Sequence, residues 1–314
     1  MKYVKYIAKK FLVMVVTLLL ASFLVFVLIR LSDVDPITVM TKNKPTSEEV
    51  RAQLTAEYNL DKPVVEQYFI WLKGVLHGDL GNDFVKQQSV SFLIKGRLNV
   101  TLTLVLYSTF LSLLIAIPAG ILCALKKNTV VDQIISSILL IMTSVPGFVI
   151  SILILVIVSK YVPSYSFIGL ADDFGAMISR LTLPAVALAC NSVALFARIT
   201  RSSMIQQLKS GYITTAQSKG IHPLRVIFGH AFHNGMLPVL TVVTMTVGSS
   251  ISYGVLVEKV FSLAGVGNLL IDSIKSFNYP IVQVLVLMLL IIFMVISFLS
   301  DVLYVLVDPR VDLE

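Results

Sequence analysis

Residues 100–125 read VTLTLVLYSTFLSLLIAIPAGILCAL and contain no charged residue at any position. A helix crossing about 30 Å of hydrocarbon needs roughly 20 mostly apolar residues, so this stretch alone can span a bilayer. Five further blocks have the same character, at residues 11–31, 134–159, 181–197, 236–257 and 281–307. Together they predict six transmembrane spans. Each is helical, because backbone amides in lipid find no water to satisfy them. Spans two to five carry no charged residue, and Asp301 lies near the end of the last.

The composition agrees. Of 314 residues 56% are hydrophobic and 14% charged, whereas a soluble domain carries about a quarter charged residues. Mean hydropathy is +0.88. The net charge of +7 contains no long run of Lys or Arg, and membrane proteins gather basic residues in cytoplasmic loops. Nucleic-acid binding is therefore not implied. Cys123 and Cys190 both sit inside apolar blocks, which makes them neither a disulfide framework nor a metal cluster. The first block follows Lys2, Lys5, Lys9 and Lys10, as a signal peptide would. It is too long for one, and Arg30-Leu31-Ser32-Asp33 offers no small-residue cleavage site, so it reads as an uncleaved span.

Orientation follows from the short loops. With the N-terminus inside, the inner segments hold Lys2, Lys5, Lys9, Lys10, Lys126, Lys127, Arg198, Arg201, Lys209, Lys219, Arg225 and Arg310. The short outer loops hold Lys160, Arg180, Lys259 and Lys275. Both termini are thus expected in the cytoplasm. The chain divides into an N-terminus with the first span (1–31), an extracytoplasmic helical segment (32–99) and a transmembrane core (100–314), with an inner loop at 198–235.

The outer segment has structure of its own. Thr46-Ser47-Glu48-Glu49 is a capping-box-like start to an amphipathic helix running to about Asn59. Asp61-Lys62-Pro63 suits a turn into a second helix, whose apolar face is supplied by Tyr68, Phe69, Trp71 and Leu72. Gly74, Gly78 and Gly81 then break the chain. Such helices serve either as a docking surface or as a cap over the spans.

The inner loop holds five basic residues, three of the four histidines and no Asp or Glu. Tyr212 to Lys219 is helix-compatible, Gly220 stops it, and Pro223 opens a second helix at its first turn. A protruding rigid element of this kind is what a partner can push. His230 and His233 stand i, i+3, but no Cys, Asp or Glu lies near to complete a metal site.

Gly211-Tyr212-Ile213-Thr214-Thr215-Ala216-Gln217-Ser218-Lys219-Gly220, followed by His230, Asn234 and Leu237-Pro238, resembles the cytoplasmic signature loop of ATP-binding-cassette importer permeases. More narrowly it is similar to the oligopeptide/dipeptide/nickel branch, whose loop reads Tyr-x-x-Thr-Ala-x-x-Lys-Gly. Thr214 and Thr215 stand where the wider family has Glu-Ala, which is usual in this branch. Further matching segments are Gly96 to Thr101, Ser144-Val145-Pro146-Gly147-Phe148, Leu183-Pro184-Ala185, Ala197 to Ser203, Glu258 to Gly267, Asn278-Tyr279-Pro280 and Asp308-Pro309-Arg310. The outer Gly78-Asp79-Leu80-Gly81 marks the first of the two permease types.

The resemblance implies an all-α integral membrane protein with the type I importer permease fold, placed in a bacterial cytoplasmic membrane. It implies a homologous second permease, two ATPase subunits that bind ATP and Mg, and an extracellular or periplasmic solute-binding protein. The chain itself has no Gly-Lys-Ser or Gly-Lys-Thr, hence no Walker A loop, no catalytic residue and no cofactor of its own. The resemblance assigns ATPase coupling to Tyr212, Thr214, Thr215, Ala216, Lys219, Gly220, Ile221 and Arg225. Peptide and metal-complex importers share these motifs, so peptides, nickel and metallophore complexes stay open as solutes.

Two other classes compete. An ion-coupled transporter ordinarily carries ionisable residues inside its spans, and spans two to five lack charged ones. A membrane-embedded protease would show His-Glu-x-x-His or two intramembrane Asp residues, and neither is present. In span five, Thr241, Thr244, Gly248 and Ser252 share one helical face. That stripe either lines the solute path or packs closely against another helix. Asn191 and Ser192 in span four are weaker candidates of the same kind.

Overall fold

The computed structural model describes residues 2–32, 34–42, 44–162 and 173–307. The Asp308-Pro309-Arg310 segment lies outside the described residues. In chain order the helices are α1 (Lys2–Arg30), α2 (Pro36–Met40), α3 (Glu48–Glu57), α4 (Val64–Leu76), α5 (Val90–Ile94), α6 (Arg97–Leu125), α7 (Val130–Ser144), α8 (Gly147–Tyr161), α9 (Phe174–Leu208), α10 (Gly211–Ser218) and α11 (Pro223–Arg225). A π-helical turn, Val226–Ala231, leads into α12 (Phe232–Val260), followed by α13 (Val266–Lys275) and α14 (Tyr279–Val307). No strand occurs among the described residues, only an isolated bridge between Asn82 and Ser89.

Five helical runs are long and apolar enough to cross a membrane. The third span, expected as one helix over residues 134–159, is instead the pair α7 and α8, which meet at 94°. Pro146 causes the break. It offers no N–H and drives the residue before it out of the helical region, and Val145 has φ −99° and ψ 122°. Pro118, Pro184 and Pro238 lie inside continuous helices, so proline alone does not dictate a break here.

Contacts divide the chain into two compact units. The first is formed by Met1–Asn99 with Ala264–Val295. Within it α4 packs on α1. Tyr68 is buried, its hydroxyl lies 2.8 Å from Ser22 Oγ, and its ring meets Phe23 and Phe26 edge-on at 5.1 and 5.4 Å. Trp71 lies 5.5 Å from Phe26. Phe69, expected on the same apolar face, is 62% exposed. One residue along a helix turns about 100° away, which takes Phe69 off the Tyr68–Trp71 side. The α3 helix is capped by Ser47, which accepts from the Val50 amide at 3.4 Å. It buries none of its residues, so its expected amphipathic face is not turned into a core. A separate apolar cluster joins Val90 of α5, Val266 of α13 and Ile281, Val284 and Leu285 of α14. Beside it the Asn278 amide donates to Asp83 and accepts from the Phe84 amide.

The second unit contains Val100–Leu263. Its centre is α9, 35 residues long, about 50 Å at 1.5 Å per residue and so longer than the hydrocarbon layer is thick. Ala116 of α6, Val193, Phe196 and Ala197 of α9, and Val239 and Val243 of α12 form one core. Backbones approach closely there. A Cβ on Gly120 would lie 2.6 Å from Thr200 Cβ and 2.7 Å from the Ala197 carbonyl oxygen. Ser112 Oγ donates across to the Ala189 carbonyl at 3.2 Å. Small residues at contacts between membrane helices permit such approach.

One charge pair ties α7 to α9. Arg201 donates from Nε and Nη2 to the two carboxylate oxygens of Asp132 at 2.8 and 2.7 Å. The Asp132 side chain is 5% exposed and that of Arg201 30%. Asp132 also accepts from the Asn128 amide at 2.9 Å. Removing one partner of such a pair leaves the other charge uncompensated, at a cost of about 3 kcal/mol or more. Arg201→Leu is therefore expected to lower the apparent melting temperature of the purified chain, and Arg201→Leu with Asp132→Leu to lower it less. Circular dichroism melts of both variants in detergent check this, and equal melts for wild type and the single variant would show that the pair contributes nothing.

Candidate functional site

The inner segment 198–235 is less a loop than two helix ends with a helix between them. Residues 198–208 continue α9, α10 follows after a two-residue link, and Pro223 starts the helical run that passes through the π turn into α12. The π turn leaves no local mark in the sequence. Ile213 (1% exposed) and Ala216 (8%) of α10 are buried with Met204 of α9, Ile121 and Ala124 of α6, and Val226 and Ala231 of the π turn. Ile221 packs against the same cluster.

The end of α10 has a specific form. The Gly220 amide donates to the Gln217 carbonyl at 2.9 Å and the Ile221 amide to the Ala216 carbonyl at 3.3 Å. This crossed pair with Gly220 at φ +74° is a Schellman cap, and the Ile221–Ala216 contact is its usual apolar partner. A Cβ on Gly220 would meet nothing within 4 Å, so the demand for glycine there comes from the backbone and not from crowding.

Tyr212 fastens α10 to its neighbours. Its hydroxyl donates to Gln207 Oε1 of α9 at 2.8 Å and accepts from Asn234 Nδ2 of α12 at 3.2 Å. Ser203 Oγ donates to the Gly235 carbonyl at 2.7 Å, joining α9 and α12 directly. The eight residues expected at the coupling surface therefore divide. Tyr212, Thr214, Thr215, Lys219, Gly220 and Arg225 are exposed, whereas Ala216 is buried and Ile221 half-buried. Ala216 thus anchors α10 on its own chain. His222 and His233 are exposed and His230 half-buried, and among the described residues no three His, Cys, Asp or Glu side chains group as a metal site would.

The expected path residues also separate. On α12, Thr241 and Thr244 are half-buried and Ser252 is exposed, but Gly248 is buried. The Thr241 and Thr244 hydroxyls donate within their own helix, to the Leu237 and Thr241 carbonyls at 3.2 and 2.9 Å, bonds that use their protons and not their acceptor lone pairs. On α9, Asn191 and Ser192 are half-buried. A Cβ on Gly147 would lie 2.8 Å from Asn191 Nδ2, which marks Asn191 as a packing contact between α8 and α9. Two polar features escaped the sequence reading. Asp132 is one, 69 positions from Arg201. The other is Glu258 at the end of α12, 0% exposed, which accepts from Thr101 Oγ1 at 2.6 Å. The sequence signals for Glu258 are a carboxylate placed directly after an apolar block and its place at the head of the matching segment Glu258 to Gly267.

Comparison with known proteins agrees with this architecture. Residues 116–313 match the family described as binding-protein-dependent transport system inner membrane component, and residues 3–105 match the N-terminal family of such membrane components. The oligopeptide transport system permease protein AppB of Bacillus subtilis (strain 168) is 34% identical over 98% of this chain and 99% of its own length. The dipeptide transport system permease protein DppB of the same organism is 30% identical over 99% and 98%. A putative peptide permease protein of Brucella suis biovar 1 is 32% identical over 94% of each. Among solved structures, the inward-facing MetNI methionine ABC transporter has a TM-score of 0.57 at 16% identity, covering 69% of this chain and 97% of that one. An amino acid ABC transporter has a TM-score of 0.50 at 19% identity, covering 68% and 94%. These two likenesses bear on fold, and they give the all-α arrangement as that of type I ABC importer permeases. The chain is a multi-pass membrane protein and belongs to the family of binding-protein-dependent transport system inner membrane components.

Proposed function

We propose that this chain is a permease subunit of an ATP-driven importer of peptides in a bacterial cytoplasmic membrane, with both termini inside. It works beside a homologous second permease, two ATPase subunits that bind ATP and Mg, and a solute-binding protein outside. No cofactor belongs to the chain itself. The observation that carries this reading is full-length similarity to a permease named for oligopeptides, at 34% identity. Nickel and metallophore complexes lose ground because the relatives reported above are named for peptides. Family membership likewise leaves an autonomous ion-coupled transporter without support.

In this reading α10 docks in a cleft of one ATPase through Tyr212, Thr214, Thr215 and Lys219, with Arg225 beside it. Ala216, Ile213 and Ile221 hold α10 to the chain, and closure of the ATPases moves α9 and α12 with it. The solute path is assigned to Thr241, Thr244 and Ser252. Asn191 serves close packing, buried Gly248 is given the same role, and Ser192, half-buried beside Asn191 on α9, is left out of the path.

Three measurements check the assignment. A non-glycine residue in the left-handed region costs about 1–2 kcal/mol, more for a β-branched one. Gly220→Val is therefore expected to abolish transport by the reconstituted complex, and Gly220→Asn, which tolerates that region, to retain most of it. Wild-type transport and ATPase activity in Gly220→Val would make the segment a mere connector. Thr215→Trp, on the exposed side, is expected to weaken ATPase association at unchanged melting temperature. Ala216→Trp, by contrast, should lower the melting temperature of the isolated chain. On the outer segment, Phe69→Asp is expected to reduce stimulation of ATPase activity by the binding protein while leaving basal hydrolysis intact, and undiminished stimulation would favour the capping role.

A further inference from the structure

The first unit contains a cleft of about 540 Å³, whose wall takes in Leu80-Gly81 and Tyr279-Pro280 of the segments quoted above. Arg30 at the end of α1, Arg51 of α3, Gln67 and Trp71 of α4, and Tyr279 and Gln283 of α14 stand in its wall. The volume is that of a small-molecule site. Trp71 and Gln283 stand between this cleft and a small adjoining void, and their buried donors, Trp71 Nε1 and Gln283 Nε2, have no hydrogen-bond partner among the described residues. Gln283 is 4% exposed. A buried donor left unpaired costs about 1–3 kcal/mol, and an indole nitrogen can only donate. What satisfies these groups must therefore bring acceptors.

The cleft's own carboxylates do not serve. Asp35 already accepts from Arg51 Nη2 at 2.8 Å, the Ile37 amide at 3.1 Å and Thr38 Oγ1 at 3.0 Å. Glu57 is exposed. Arg30 adds positive charge to the same wall. Its Nε donates to Gln67 Oε1 at 2.7 Å, which orients the guanidinium, and its carbon centre lies 3.4 Å over the Phe26 ring. Tyr58 and Phe84, edge to face at 5.2 Å, give the cleft an apolar side.

We propose that this cleft binds the carboxylate end of a small molecule with an apolar body, the anionic oxygens accepting from Gln283 and Trp71 beside Arg30. The free C-terminus of a short peptide and the head of an anionic lipid both offer such oxygens. The site rests on the proposed function only for the side of the membrane that supplies the ligand, since binding needs neither ATPase nor second permease.

Trp71 is the single tryptophan of the chain, so intrinsic tryptophan fluorescence of the purified full-length protein in neutral detergent reports on the surroundings of this one wall residue. Titration with the dipeptide alanyl-leucine is expected to give a saturable change, and its C-terminal amide to bind at least about tenfold more weakly. Gln283→Leu should weaken the acid by about tenfold, the loss expected for one hydrogen bond to a charged group. The comparison of acid with amide uses wild-type protein and does not depend on how the variant folds. A response to phosphatidylglycerol but neither to phosphatidylcholine nor to the dipeptide would assign the cleft to a phosphodiester and overturn the carboxylate reading. Equal responses to acid and amide, or no response to either the dipeptide or the anionic lipid, would overturn the proposal. Neither result would touch the transport reading, which is tested on the assembled complex.

Discussion

Close approach of helix backbones along α9 is the constraint on which the second unit depends. In lipid, helices gain little from burying apolar surface against one another, so contact must come from shape and from small side chains. Ala185, Ala189, Ala194 and Ala197 of α9 are each 3% exposed or less. Gly120 of α6 and Gly147 of α8 meet α9 where a single added carbon would lie under 3 Å from Thr200 or Asn191. At Gly120 the added carbon also meets the Ala197 carbonyl, so bulk there separates helices, whereas at Gly147 it displaces the end of the Asn191 side chain. Of the two roles the sequence leaves open for Asn191, path or close packing, its contact with Gly147 accounts for the second.

Much of the fold was legible because the bilayer enforces a simple rule. Residues 100–125 and 281–307 had to be helical and long, and α6 and α14 are. The break at Pro146 had one local mark, the following Gly147, since a Pro-Gly pair punctuates a chain, whereas Pro118, Pro184 and Pro238, followed by Ala, Ala and Val, stay inside helices. The Asp132–Arg201 pair had no such mark. Each residue alone looks like an ordinary loop charge, and only the packing of α7 on α9 joins them.

The inner segment proposed for coupling divides in the same way. Tyr212 to Gly220 was legible as a short helix with a glycine stop, because local hydrogen bonding decides both. The side of α10 that faces its own chain was not. Thr215 and Ala216 are adjacent small residues, and either would suit a close contact with a partner. The register that buries Ile213 beside Met204 and Val226 turns Ala216 inward and Thr215 outward. A helix of eight residues shows too little periodicity for this to be read from the sequence.

Magnitudes then decide what makes α10 rigid. The two hydrogen bonds of Tyr212 are exposed, and each contributes about 0.5–1.5 kcal/mol at most. Burial of Ile213 alone contributes about 1.5–3 kcal/mol, and Ala216, Ile221 and the Schellman cap add to it. The apolar cluster therefore holds α10 in place, whereas Tyr212 sets its angle by bridging Gln207 and Asn234. An isolated eight-residue helix is unstable in water. This one has a fixed shape because α6, α9 and the π turn supply its buried side. A force applied to its exposed side is borne by that cluster, whose members lie on α6, α9 and the start of the run into α12. Such a force turns helix ends that already share one core instead of bending a loop.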